Sequence, residues 1–168
     1  LRLRRCWTRP LSRAHRGLPA DAMAERPNQL ALTFPVAEQF GADDFLISDS
    51  NERAYAFIEQ WPDWPDPVLR LSGPEGSGKS HLAAIWAERA HAWVVPATDL
   101  TSERVPELMA QGALVVEDCD RTGRDDRSLF HLLNAVRARA GQGGALLLTS
   151  RLALDQWQVQ IPDVLSRL

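Results

Sequence analysis

Apolar positions change their spacing several times along this chain, and each change marks an element. Between residues 50 and 61, Ala54, Phe57, Ile58 and Trp61 recur at helical intervals, behind Ser50 or Asn51 as a capping residue. The run "WPDWPDP" (61–67) then stops the helix, because three prolines in seven residues remove backbone donors and fix φ. Its two tryptophans are expected to cover the edge of the core. Beyond it, short apolar runs alternate with helical stretches. Strands are predicted at 68–72 (VLRLS), 92–95 (AWVV), 113–117 (ALVVE) and 144–149 (GALLLT). Helices are predicted at 79–90, 102–110 and 126–140; the last carries Leu129, Leu132, Leu133 and Val136 as one stripe. Such alternation builds βαβ units, hence a three-layer α/β/α fold with a parallel sheet covered on both faces. No internal repeat is apparent. In such sheets the functional loops lie at the carboxyl ends of the strands.

The first of those loops is "GPEGSGKSH", residues 73–81, directly after the first predicted strand. Gly73, Pro74, Glu75, Gly76, Ser77, Gly78, Lys79 and Ser80 fit the P-loop spacing, with His81 following in the helix. Glycines let the backbone wrap phosphate oxygens with N–H groups turned inward, and the helix start adds partial positive charge. Lys79 would meet the β and γ phosphates, and the Ser80 hydroxyl is a magnesium ligand. Lys79 is the only lysine beside 18 arginines, which suits a slot that a planar guanidinium cannot fill. ATP or ADP with Mg2+ is the expected cofactor.

A P-loop needs an acid at the tip of another strand, and "ALVVEDCD" offers Glu117 and Asp118. Either Glu117 takes the metal role through its longer reach, or Asp118 does so from a shifted strand end. Asp120 is expected on the solvated surface. Cys119 is expected to be a small, half-buried thiol whose pKa the neighbouring acids raise. The fourth strand ends in Thr149 and Ser150, the candidates for a polar tip that reads the γ-phosphate when this strand lies between the other two.

Composition narrows the setting. At 168 residues, 45% hydrophobic and 24% charged, the chain suits one domain with a proper core. No apolar run approaches the length that crosses a bilayer. Two cysteines, Cys6 and Cys119, make no disulfide framework. Charge is uneven: residues 1–22 hold six arginines against one acid (net +5), and residues 23–168 hold 13 basic and 21 acidic groups (net −8). So acidic a body is a poor general binder of phosphate backbones, and DNA is expected to be met only indirectly. The basic leader resembles either a targeting segment or translated upstream sequence, and Met23 is expected to be the true start. Residues 23–41 read as an irregular polar arm and 42–168 as the nucleotide-binding core.

Taken in order, "DDFLISDSN", "GPEGSGKSHL", the acidic strand end, "LFHLLN" (129–134) and "LLLTSR" resemble the DnaA-type AAA+ ATPases of bacterial replication initiation. The resemblance spans residues 29–168. Only about seventeen residues, 96–112, join the second strand to the acidic one, where initiators carry a longer insertion, and a separate N-terminal domain ahead of the ATPase is not expected. These departures resemble the Hda-type branch, the homologues that inactivate the initiator. The arm sequence "QLALTF" is similar to the hexapeptide by which replication proteins dock on the sliding clamp. Gln29 would fix register while Leu30, Leu32 and Phe34 fill apolar pockets.

The resemblance implies a bacterial cytoplasmic protein whose partners are the clamp's β subunit and the DnaA initiator, with self-association open. It implies an arginine finger offered in trans to the initiator, for which "IPDVLSRL" supplies Arg167, with Arg151 as second candidate. Family members continue into a helical lid, so 42–168 is expected to be a core truncated at its C-terminal side. An ATPase in its own right, either a truncated initiator or a helicase-loader type, is the nearer rival. A metabolite kinase with Arg121, Arg124 and Arg127 in a lid is the remote one.

Overall fold

The computed structural model describes residue 41 and residues 44–168. Nine principal elements follow in chain order: α1 (Glu52–Glu59), β1 (Val68–Ser72), α2 (Lys79–Ala90), β2 (Trp93–Pro96), α3 (Val105–Ala110), β3 (Ala113–Glu117), α4 (Asp126–Ala138), β4 (Ala145–Ser150) and α5 (Pro162–Leu165). Short 3-10 turns occupy Ala97–Asp99 and Leu154–Gln156.

The four strands are all parallel, in the order β1-β4-β3-β2. The strand formed last therefore lies between the P-loop strand and the acidic strand. Leu146 pairs with Val68 on one side and Leu114 on the other. The two central strands are near-continuous apolar runs because both of their faces are covered. Alternation then sorts their side chains between two cores. Ala113, Val115, Ala145 and Leu147 face Ile58, Leu82, Ile85 and Trp86 of α1 and α2. Leu114, Val116, Leu146 and Leu148 face the other way, against Leu108 of α3, Leu129, Leu132, Leu133 and Val136 of α4, and Val164 of α5. This is the three-layer arrangement that the hydrophobic pattern predicts. Among the described residues no helix is long and apolar enough to cross a membrane.

The proline connector behaves as expected. Trp64 stacks on the buried Trp86 with centroids 5.0 Å apart, and Trp61 meets the same ring edge-on at 6.3 Å. The Trp64 indole N–H donates to the Phe57 carbonyl at 2.7 Å, so its polar edge is satisfied while its face closes the core.

Several boundaries move, each for a local reason. α3 begins at Val105 rather than 102, because Pro106 is tolerated in a first turn but would clash with the carbonyl four residues earlier. α1 ends at Glu59 with Gln60 as its cap, short of Trp61. Asn51 precedes α1 but caps nothing with its side chain. Its Oδ1 instead accepts from the Ser48 N–H at 2.8 Å, and its Nδ2 donates to the Leu46 carbonyl. Asn51 thereby folds the segment that enters the helix.

Candidate phosphate-binding site

The P-loop is shaped by backbone conformations that side chains resist. Gly76 and Gly78 have φ of +75° and +85°. At Gly76 an added Cβ would meet nothing within 4 Å, so conformation alone favours glycine there. At Gly78 an added Cβ would also lie 3.2 Å from the Phe45 ring, so space and conformation both select it. Gly78 is the residue before α2, so the loop runs directly into the N-terminal end of the helix with its partial positive charge. Lys79 curls over the loop, its Nζ donating to the Pro74 carbonyl at 2.8 Å. The loop is tied to the sheet by the Gly73 N–H, which donates to the Ser150 carbonyl at 3.2 Å. The His81 ring lies 2.9 Å through Nε2 from the Gly41 carbonyl and meets Phe45 edge-on. It thus holds the segment ahead of α1 against the start of α2.

Asp118, one residue past β3, occupies the left-handed region at φ +57°. A non-glycine residue there is uncommon, and Asp is among the few types that adopt it. The turn sets Asp118 on the same cleft as Glu75, Gly76, Lys79, Ser80 and Arg151, an open space of about 430 Å³. Glu117 is the last residue of β3, paired with Pro96, and does not line that cleft. The Asp118 carboxylate sits 2.9 Å from Arg121, and its backbone N–H donates to the Thr149 hydroxyl at 3.0 Å.

At the tip of β4, Thr149 and Ser150 are buried. The Thr149 hydroxyl faces Asp118, as described. The Ser150 hydroxyl lies 2.9 Å from that of Ser72 and donates to the Leu152 carbonyl at 3.0 Å. Both side chains are therefore engaged inside the protein, and the first side chain to emerge from this strand into the cleft is Arg151.

Two expectations need correction. Asp120 is not a solvated surface acid: its side chain is 2% exposed. It accepts from the backbone N–H groups of Arg151 and Leu152, at 3.0 and 3.2 Å, and so pins the loop after β4 to the loop after β3. Its partners lie 31 and 32 residues further along the chain, so the local sequence carries no signal for the contact. Cys119 is fully buried rather than half-buried, and its thiol is pushed up to about 12. Burial is the main cause; Asp120 and Asp118 add to it, and the Arg124 guanidinium opposes it.

Arg124 does not belong to a lid. Its side chain is 3% exposed and pairs with Asp126, itself 7% exposed. It also donates to the carbonyls of Cys119 and Gln158 and lies over the Trp157 ring. Asp126 in turn accepts from the Gln160 N–H. The acidic tip, the start of α4 and the segment leading to α5 are thus sewn together by one buried ion pair. The arginine spacing that suggested a kinase lid reads as this knot instead.

Arg167 lies at the far end of that segment, stacked on Phe130 of α4 with its guanidinium carbon 4.9 Å from the ring centre. Its carbonyl accepts from Arg137 at 2.7 Å. It does not line the cleft around Lys79. Gln29, Leu30, Leu32 and Phe34 lie outside the described residues.

The donor set suits a nucleotide polyphosphate. A glycine-bearing loop, one lysine and a helix start favour anionic oxygens. Among the described residues no three His, Cys, Asp or Glu side chains are grouped to hold a metal ion. Ser80 and Asp118 could therefore hold Mg2+ only together with phosphate oxygens, as hard cations bound with nucleotides commonly are.

No protein-family profile and no curated sequence matches the chain. Solved structures do share its fold. The AMPPCP-bound DnaA of Aquifex aeolicus superposes with a TM-score of 0.64 at 18% identity, over 77% of this chain and 47% of that one. Domain III of the replication initiation protein DnaA of Thermotoga maritima gives 0.61 at 16% identity, over 80% and 65%. The fold is that of the DnaA AAA+ domain, and the chain spans about half the length of the Aquifex protein.

Proposed function

We propose that the chain is a nucleotide-binding AAA+ protein of bacterial replication initiation, of the Hda type. The observation that carries the nucleotide part is the meeting of Lys79, Ser80 and Asp118 on one cleft between a P-loop and an acidic strand tip. Backbone N–H groups of the loop and of the start of α2, with Lys79, bind and orient the phosphates of ATP or ADP. Ser80 and an acid of the strand tip would hold Mg2+ together with the phosphate oxygens, and the ion would screen their charge. Of the two acids at that tip, Asp118 lines the cleft together with Ser80, which favours it over Glu117 for this role. Thr149 acts through Asp118, fixing its backbone by the bond to its N–H.

The regulatory part rests on the arm and on the C-terminal segment. The arm docks on the sliding clamp through Gln29, Leu30, Leu32 and Phe34. Arg167 serves the active site of a neighbouring DnaA initiator, which accords with its position away from its own chain's cleft. The protein so placed stimulates ATP hydrolysis by the initiator, and this chain's resident nucleotide is a structural ligand. It acts in the bacterial cytoplasm and meets DNA only through its partners.

One experiment tests this reading. The full chain is added to ATP-loaded initiator with clamp on DNA, and released ADP is measured. Faster turnover that is lost with R167A and with the Q29A/L30A pair supports the reading. Turnover of the initiator unchanged by the chain removes it. Hydrolysis that instead needs no initiator favours the rival, an ATPase in its own right such as a truncated initiator or helicase-loader-like protein. The specific ground for that rival is the intact Lys79–Asp118 geometry.

A further inference from the structure

Asp118, the acid that shares the cleft with Lys79 and Ser80, already has a cation of the protein's own. Its Oδ2 lies 2.9 Å from a guanidinium nitrogen of Arg121, three residues further on. The two residues close one turn, in which the Arg121 N–H donates to the Asp118 carbonyl at 3.0 Å. Asp118 is the fixed member of the pair, held by its left-handed backbone and by the bond from its N–H to Thr149. Arg121 is the movable one, its side chain 56% exposed against 33% for the acid. It also borders two spaces. Besides the cleft it lines an adjoining cavity of about 430 Å³ with Thr122, Gly123, Gln156 and Gln158. The amide oxygens of those glutamines are neutral acceptors that suit a guanidinium. An Asp118 carboxylate that holds Mg2+ would keep Arg121 close to the charge of the ion, and like charges so placed repel.

We propose that Arg121 competes with Mg2+ for Asp118, and so sets how strongly nucleotide binding in this cleft depends on the metal. This rests on the reading of the cleft as a nucleotide site with Asp118 as its metal-binding acid. Asp118 gives up Arg121 when it takes Mg2+, and the released guanidinium turns into the adjoining cavity. The exchange costs the protein little, because a pair this exposed contributes little to stability. Nucleotide without metal leaves the pair in place, and nucleotide with metal opens it. Arg121 is thus a positioning residue, which acts through Asp118 and does not touch the phosphates.

The test is titration of the full chain with ADP, in EDTA and then at rising Mg2+, reading ADP affinity and the half-saturating Mg2+ concentration. Mg2+ tightens ADP binding in the unaltered chain. R121Q lowers the half-saturating Mg2+ about fivefold, the scale of one exposed ion pair released, and leaves ADP affinity in EDTA unchanged. R121K, which keeps the charge but loses the fork, falls between the two. D118N removes the shared acid while asparagine tolerates the left-handed turn. The Mg2+ effect weakens in D118N, and adding R121Q to it shifts nothing further. That non-additivity separates competition for one carboxylate from a general effect of surface charge. No Mg2+ effect in the unaltered chain, an unchanged half-saturating Mg2+ in R121Q, an equal shift in the D118N background, or weaker ADP binding by R121Q in EDTA overturns the inference while leaving the nucleotide site standing. Failure of the unaltered chain to bind ADP removes the site and the inference together.

Discussion

Arg124 and Arg151 are both placed by the loops at the carboxyl ends of β3 and β4, yet they are held in opposite ways. Arg124 is 3% exposed, and its guanidinium is spent on Asp126, two carbonyls and an indole face. Arg151 is 44% exposed and touches its acids only at 3.7 and 4.0 Å. A buried charge must have its partners in place, because stripping water from it costs several kcal/mol. An exposed charge keeps its water and can change partners at little cost. The difference marks one arginine as structural and the other as available to a ligand.

Substitutions should separate the two regions sharply. R124A leaves Asp126 buried without its counter-ion, and is expected to cost about 3–5 kcal/mol in denaturant unfolding. R151Q should change the same unfolding free energy by only about 0.5 kcal/mol, with its effect confined to nucleotide affinity. Comparable losses in both variants would erase the distinction.

Asp120 joins the regions, and D120A strips acceptors from two backbone N–H groups. A loss of about 1–3 kcal/mol is expected. D125A, which removes the acceptor for the Arg127 N–H at the start of α4, should cost about 1 kcal/mol. The Asp125 carboxyl is held below its ordinary pKa chiefly by the Ser128 hydroxyl. Its contribution is therefore complete above about pH 4 and is lost as pH falls through the lowered folded value. The gap between D125A and the unaltered protein should close in acid.

The smallest effect is expected at Cys119. A thiol pushed up to about 12 by burial stays neutral in the folded protein. Stability linked to it is intact below the ordinary thiol pKa and is lost only as pH rises toward 12. In a C6S background, iodoacetamide at pH 8 should label Cys119 only after unfolding. Rapid labelling of the folded protein would show that this tip opens.

Much of this was legible in the chain itself. The near-continuous apolar runs in "ALVVE" and "ALLLTS" predict two central strands with two covered faces, and residues 113–116 and 145–148 go by turns to the two layers. The P-loop was legible because its chemistry is local, set by glycines and one lysine in a short run. The setting of the acids at the strand tip was not, because it depends on a left-handed turn at Asp118 that a hydroxyl 31 residues away supports. Asp120 and Arg124 escaped for the same reason. Their partners Arg151, Leu152 and Gln158 lie across the fold, and no spacing along the chain announces them.

The central claim is that the open, charged end of the sheet exists to hold a nucleotide. Calorimetric titration of the full chain with Mg–ADP tests it most directly, alongside K79A under the same conditions. The account predicts one saturable site per chain, weakened in K79A by on the order of a hundredfold with the unfolding free energy little changed. No heat of binding in the unaltered chain, or equal affinity in K79A, would contradict it.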